Sequence, residues 1–248
     1  MKTRPQVIAH RGVSGEAPEN TLAAYRKALA IGVDGVELDV HLSADGIPVV
    51  IHDPRLERTT TGRGLVKDHT VAALKRLDAG RWFGEAFAGE RIPTLAEALD
   101  LLRPVRVIVE LKNGPIYYPG IAAAVAAVVR EVGHTRITVS SFDHPVLLDL
   151  RAAAPEIPTA VLLAARPIDP VRPARDADAR YLHLQWAFVT REVVEVAHAA
   201  GLAVEAWTVD EPEQMRGLLA TGADGIMSNH PARLQVLVAG WPDAGDSW

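Results

Sequence analysis

Short runs rich in β-branched residues recur along this chain, and most are separated by Ala- and Leu-rich segments of helical period. This alternation is its strongest fold constraint. The runs are Val7 to His10, Gly35 to Leu42, Val49 to His52, Val105 to Leu111, Thr138 to Phe142, Thr159 to Leu163, Tyr181 to Leu184, Leu202 to Val209 and Gly225 to Ser228. Helical patterns occupy roughly Thr21 to Ala30, Thr94 to Leu102, Tyr118 to Glu131, Pro145 to Ala154, Thr190 to Ala200 and Pro212 to Ala220, with Thr94 and Thr190 placed as N-caps. Parallel strands require crossover connections, so the alternation implies an α/β fold with a parallel sheet. Over 248 residues it fits a closed (β/α)8 TIM barrel better than an open doubly wound sheet. Neither Gly-x-Gly-x-x-Gly nor a Walker loop is present to favour a nucleotide fold.

Val49 to His52 reads as an extra strand, turned back antiparallel at Asp45-Gly46. The least regular stretch, about 54–93, reads as a small insertion after the second strand region, folded over one end of the barrel. A single domain over 1–248 is expected.

Composition removes several function classes. The chain has 26 basic and 31 acidic residues, net −5, with no long run of either sign, which argues against a nucleic-acid or anionic-membrane surface. It has no cysteine, hence no disulfide, thiolate metal site or Cys nucleophile, which suits a cytoplasmic location. Met1 to Gln6 is too short and polar for a signal-peptide core, and the apolar stretch Ile121 to Val129 is far below the ~20 residues of a bilayer span.

Against this background three polar clusters stand out, at or just after strand-like runs: His10-Arg11-Gly12, Glu37-Leu38-Asp39-Val40-His41 and Glu110-Leu111-Lys112. Strand alternation puts Glu37, Asp39 and His41 on one face. Two carboxylates ~6.6 Å apart repel by roughly 2.5 kcal/mol at an effective dielectric of ~20, which a bound cation would relieve. In a βα barrel such strand ends converge at one mouth, joined here by His52-Asp53 and Trp207. A lone acidic pair reads as ion-pair partners of neighbouring Arg or Lys. Three clusters at matching strand ends favour a functional site.

Three carboxylates without cysteine suit a hard divalent cation, Mg2+ first, then Ca2+ or Mn2+. Of nine histidines, His10 and His52 are each flanked by a charged residue at a strand end and can supply a general acid and a general base. His134, His144, His183 and His198 are read as ordinary surface or core residues. Arg11 and Lys112 offer donors for an anion, and the whole suits a phosphate ester.

Across nearly the whole chain, His10-Arg11-Gly12, Ala17-Pro18-Glu19-Asn20-Thr21, Glu37-Leu38-Asp39-Val40, Val50-Ile51-His52-Asp53, Thr59-Thr60 with Gly62, Glu110-Leu111-Lys112, Ser141-Phe142 and Asp224-Gly225-Ile226 occur in order. This series resembles the glycerophosphodiester phosphodiesterases, in their compact cytosolic bacterial form. The resemblance implies metal-dependent hydrolysis of a small-molecule glycerophosphodiester to glycerol 3-phosphate and an alcohol. By matching motif positions it makes His10 and His52 the acid/base pair, Glu37, Asp39 and Glu110 the metal ligands, and Arg11 and Lys112 the phosphate contacts. Trp207 would wall the glycerol or head group, Glu19 would support the site, and Asn20 reads first as an N-cap. Ser228-Asn229 departs from relatives that carry an acidic residue there. The alternatives are a lysophospholipase D or other phospholipid-cleaving phosphodiesterase on the same barrel, and a non-catalytic phosphate-binding barrel. Either a monomer or a homodimer is expected, with no nucleic-acid partner and no stable membrane insertion.

Overall fold

In the computed structural model, which describes residues 4–241, eight parallel strands close into a barrel. The ends of the expected 1–248 domain, residues 1–3 and 242–248, lie outside the described residues. The barrel strands are β1 (Gln6–His10), β2 (Gly35–Leu42), β4 (Arg106–Leu111), β5 (Ile137–Ser141), β6 (Thr159–Leu163), β7 (Tyr181–Gln185), β8 (Ala203–Trp207) and β9 (Gly225–Ser228). β1 pairs with both β2 and β9, which closes the ring. The short β3 (Pro48–Val50) lies antiparallel on β2, as the Asp45-Gly46 turn signal implied. β3 ends before His52. Ile51 N–H still donates to Asp39 O at 3.0 Å, after which the chain leaves the sheet.

Helices α1 (Leu22–Ile31), α3 (Leu95–Leu101), α4 (Ile121–Val132), α5 (His144–Ala153), α6 (Arg172–Asp176), α7 (Arg191–Ala199), α8 (Pro212–Thr221) and α9 (Pro231–Ala239) follow successive barrel strands. Sequence reading missed α6 and α9. The five residues of α6, Arg-Pro-Ala-Arg-Asp, are too few and too charged to display a helical apolar period. Both helices carry Pro in the first turn, where a proline costs no hydrogen bond, and that signal was available.

The outward strand residues and the helices form the main core. Val36, Leu38, Val40, Val107, Val109 and Leu111 belong to it, together with Leu95, Leu99, Ile121 and Val125 of the covering helices. The insertion between β3 and α3 contains the short α2 (Val71–Leu74) and two 3-10 turns, Val66–Asp68 and Glu85–Phe87. Leu56, Val66, Leu74 and Ile92 give it a separate small core against Val49 and Ile51. That small core seats the segment carrying His52 on the barrel.

Thr94 caps α3 with a full capping box: its side chain accepts from Glu97 N, and the Glu97 carboxylate accepts from Thr94 N. Thr94→Ala is expected to lower the unfolding free energy by about 1 kcal/mol in denaturant titration while leaving turnover intact. An unchanged denaturation midpoint would contradict the assigned cap.

Candidate active site

The His-Arg-Gly cluster is an unusual strand exit. Arg11 has φ 56 and Gly12 φ 81, so the chain turns sharply over the barrel mouth. A Cβ on Gly12 would come within 2.7 Å of Ala24 Cβ, a contact only glycine avoids. The turn aims the Arg11 backbone N–H at Glu37 Oε2, 3.1 Å away, and folds the guanidinium back so that Nε lies 3.2 Å from Asp39 Oδ2 and Nη1 donates to Glu19 Oε1 at 3.0 Å.

Parallel register sets Asp39 directly beside Glu110, and Glu37 lies two residues earlier on the same inward face of β2. One oxygen from each of Glu37, Asp39 and Glu110 lies within 4.8 Å of the others, and all three residues are buried. Lys112 Nζ reaches Asp39 Oδ1 at 3.0 Å and Glu110 Oε1 at 2.5 Å. The ion-pair reading of the acidic residues is therefore realised at Asp39, which meets both Arg11 and Lys112.

Among the described residues these three carboxylates meet two permanent cations, Arg11 and Lys112, so full ionisation leaves one negative charge in excess. The titration follows. Burial, then the charges of Asp39 and Glu110, push Glu37 well above the usual carboxylate range. Glu110 is pushed up to about 7 by burial and Asp39, against the pull of Lys112. Asp39 is buried too, yet Lys112 and Arg11 hold its carboxyl well below the ordinary value. Asp39 Oδ1 also lacks an aligned hydrogen bond despite its short distance to Lys112. A hard cation fits this oxygen set: it would satisfy that oxygen and remove the like-charge cost.

The two histidines come from different elements, His10 from the end of β1 and His52 from the segment after β3. His10 Nδ1 lies 2.7 Å from Asn229 Oδ1. Asn229 Nδ2 donates to Asp210 Oδ2 at 2.7 Å; because a carboxylate only accepts, this fixes the amide orientation and places the His10 proton on Nδ1. Nε2 then presents its lone pair 3.8 Å from Glu37 Oε2. Burial, then Arg11, lower the His10 pKa to about 4. His52 Nδ1 instead meets a carboxylate, Asp53 Oδ1, at 2.6 Å. Arg58 from the insertion bonds that carboxylate through Nε at 2.6 Å and grips both oxygens of Glu19 at 2.8 Å. Hydrogen bonding from Arg58 takes the Asp53 pKa down to about 2, whereas burial lowers that of His52.

All the sequence-nominated residues converge here. His10, Arg11, Glu37, His52, Glu110, Lys112 and Trp207 line one chamber of about 100 Å3, and Asp39 lies next to its two carboxylates. A wider groove of about 410 Å3 shares His52, Glu110, Lys112 and Phe142 with it and runs outward past Asn113, Tyr117 and Asp143. A larger depression, about 670 Å3, lies between α5 and α6; it gathers no comparable set of converging carboxylates and histidines, so size does not mark the site.

Several supporting residues differ from expectation. Thr21, not Asn20, caps α1 by accepting from Ala24 N, while Asn20 Nδ2 donates to Asp39 Oδ2 at 2.7 Å. His41, two residues beyond Asp39 on β2, lines the outer groove but has both ring nitrogens engaged, with Nε2–H donating to His52 O at 2.9 Å and Tyr118 OH at 2.8 Å from Nδ1. In the sequence Asn229 stands out only as a departure from an acidic pattern, and no motif marks Arg58 or Asp210. Arg58 has one partner close by in Asp53, but its other partner Glu19 and the His10 partner of Asn229 lie far off in sequence, which local patterns do not register.

Residues 10–233 match the glycerophosphoryl diester phosphodiesterase family. The chain is 42% identical over 241 residues to a glycerophosphodiester phosphodiesterase of Caldanaerobacter subterraneus subsp. tengcongensis, covering 96% of this chain and 98% of that one. Among solved structures it is similar to an Oleispira antarctica phosphodiesterase in complex with the product sn-glycerol-3-phosphate, at 36% identity and TM-score 0.87, covering 95% and 97% of the two chains. It is also similar to a glycerophosphodiester phosphodiesterase from Agrobacterium tumefaciens, at 33% identity and TM-score 0.84, covering 94% and 99%.

The raised pKa of Glu110 makes a signed prediction. The folded state holds this proton up to about 7, whereas an unperturbed glutamate releases it near 4.5. Its contribution is therefore complete at low pH and is lost as pH rises through about 7. Compared with Glu110→Gln, which cannot titrate, chelator-treated wild type is expected to lose thermal midpoint progressively from pH 5 to pH 8. Parallel curves for the two proteins would contradict the buried-carboxylate electrostatics.

Proposed function

The chain belongs to the glycerophosphoryl diester phosphodiesterase family and is a phosphodiesterase, and from that premise we propose metal-dependent hydrolysis of glycerophosphodiesters to glycerol 3-phosphate and an alcohol, with His10 and His52 as acid and base. The observation that carries the reading is two differently oriented imidazoles lining one chamber with Glu37 and Glu110 of the buried carboxylate triad.

A divalent cation, Mg2+ first among Mg2+, Ca2+ and Mn2+, held by Glu37, Asp39 and Glu110, would offset phosphate charge and stabilise charge growing on the phosphoryl oxygens. Arg11 and Lys112 bind the non-bridging oxygens. Their own contacts to Asp39 restrict both side chains before substrate arrives. One imidazole removes the proton from the attacking hydroxyl as its oxygen bonds to phosphorus. The other gives a proton to the departing alkoxide as the phosphorus–oxygen bond to the alcohol breaks. Asn229 and Asp53 hold the two rings in fixed tautomers for these tasks. Trp207 walls the chamber.

The same reading assigns the activity to one barrel domain bearing the 54–93 insertion, in a cytoplasmic monomer or homodimer acting on a water-soluble substrate. Among the described residues, no helix is long and apolar enough to cross a membrane.

Purified protein should release glycerol 3-phosphate from glycerophosphocholine with added Mg2+, Ca2+ or Mn2+ and stop when a chelator is present. Turnover indifferent to chelation would contradict the carboxylate assignment. His52→Ala should lose roughly 10² to 10⁴ in rate with little change in denaturation midpoint. Near-wild-type turnover would remove His52 from the proton transfer.

A further inference from the structure

Below the catalytic groups, the inside of the barrel changes character from one side to the other. Ile8, Ile108 and Met227 form an apolar cluster with Trp207 packed against it. Facing the chamber with them are Ser140 and His183. His183 is completely buried on β7, and β8 places Glu205 beside it in register.

Glu205 is itself anchored: Arg106 at the start of β4 pairs with it, and Arg106 Nη1 also donates to Gln6 Oε1 at 2.8 Å. Nε2 of His183 stands 2.9 Å from Glu205 Oε2, although off the N–H axis. A carboxylate only accepts, so this neighbour draws the ring proton to Nε2 and leaves Nδ1 of the neutral ring as an acceptor. Nδ1 has no hydrogen-bond partner among the described residues. Nor has Trp207 Nε1, a pure donor whose side chain lines the same chamber.

Buried polar atoms are rarely left unpaired, and the side chains that carry these two line one small chamber, which points to a ligand with hydroxyl groups. Chamber and groove share His52, Glu110 and Lys112, which seats a phosphate at their junction with one ester arm on each side. The volumes differ about fourfold, 100 against 410 Å3, so the compact arm of fixed size belongs inside and the variable alcohol outside.

We infer that His183 is a substrate-binding residue that accepts a hydrogen bond from the terminal hydroxyl of the glycerol arm, with Trp207 Nε1 donating to the same polyol. This rests on the glycerophosphodiesterase reading above and extends it. Two features become explicable together: an ionisable side chain with no exposure at the base of a catalytic chamber, and the Arg106–Glu205 pair that anchors it.

The test compares kcat/KM for glycerophosphocholine and for its propane-1,2-diol analogue, which lacks only the terminal hydroxyl and keeps the hydroxyl next to the phosphoester carbon. A site built around that hydroxyl discriminates strongly, so wild type should prefer the glycerol substrate by at least about 10²-fold. His183→Leu should collapse this ratio toward one. His183→Gln, which retains an acceptor, should restore part of it. A residue that merely stabilises the barrel would lower both rates and leave the ratio alone. Wild-type discrimination near one overturns the proposal without any variant, as does an unchanged ratio in folded His183→Gln together with folded His183→Leu. If His183→Leu fails to fold, the wild-type and His183→Gln ratios decide. Loss of turnover on both substrates in wild type would instead overturn the phosphodiesterase reading on which the proposal rests.

Discussion

Asp39 is the fixed point of the site. It is fully buried, accepts from Asn20, and meets both Arg11 and Lys112, so it stays ionised where burial alone would neutralise it. Glu37 and Glu110 are raised in proton affinity first by their burial and then by the established negative charge they face. What draws protons there also draws a cation. The closed barrel makes this possible, because parallel register places Asp39 and Glu110 side by side at the strand ends where Arg11 and Lys112 emerge.

Around that centre the two imidazoles have contrasting supports. His10 is oriented by a neutral amide from the far end of the chain, 219 residues away, and His52 by a carboxylate one residue away. The insertion stabilises the second arrangement: Arg58 joins Asp53 to Glu19, and Glu19 in turn holds Arg11. Material outside the barrel thereby steadies both His52 and Arg11. The small apolar core of Leu56, Val66, Leu74 and Ile92 anchors that material against β3.

The architecture was legible because its signals are local. Gly35–Leu42, Thr159–Leu163 and Gly225–Ser228 stand out as β-rich runs with polar or glycine boundaries, and the structure has strands at those bounds. Short α6 and proline-led α9 escaped, since neither shows a sustained apolar period at its start. The converging residues of the site were legible too, because charged residues at the ends of apolar strands are conspicuous. Their supports were not. Asn20 sits where a helix cap is expected, yet adjacent Thr21 takes the cap, and Asn20 turns to Asp39 through a positive φ of 57. His183 read as an ordinary core histidine because nothing in its own strand reveals Glu205 on the next one or the chamber above.

The central claim is that Glu37, Asp39 and Glu110 form a single cation site within the chamber that cuts the phosphate ester. Anomalous X-ray scattering from crystals soaked in Mn2+ measures this directly. The account predicts one strong peak bounded by those three carboxylates and within reach of a phosphate bound by Arg11 and Lys112. No peak there under conditions in which Mn2+ supports turnover, or a peak at another set of side chains, would contradict it.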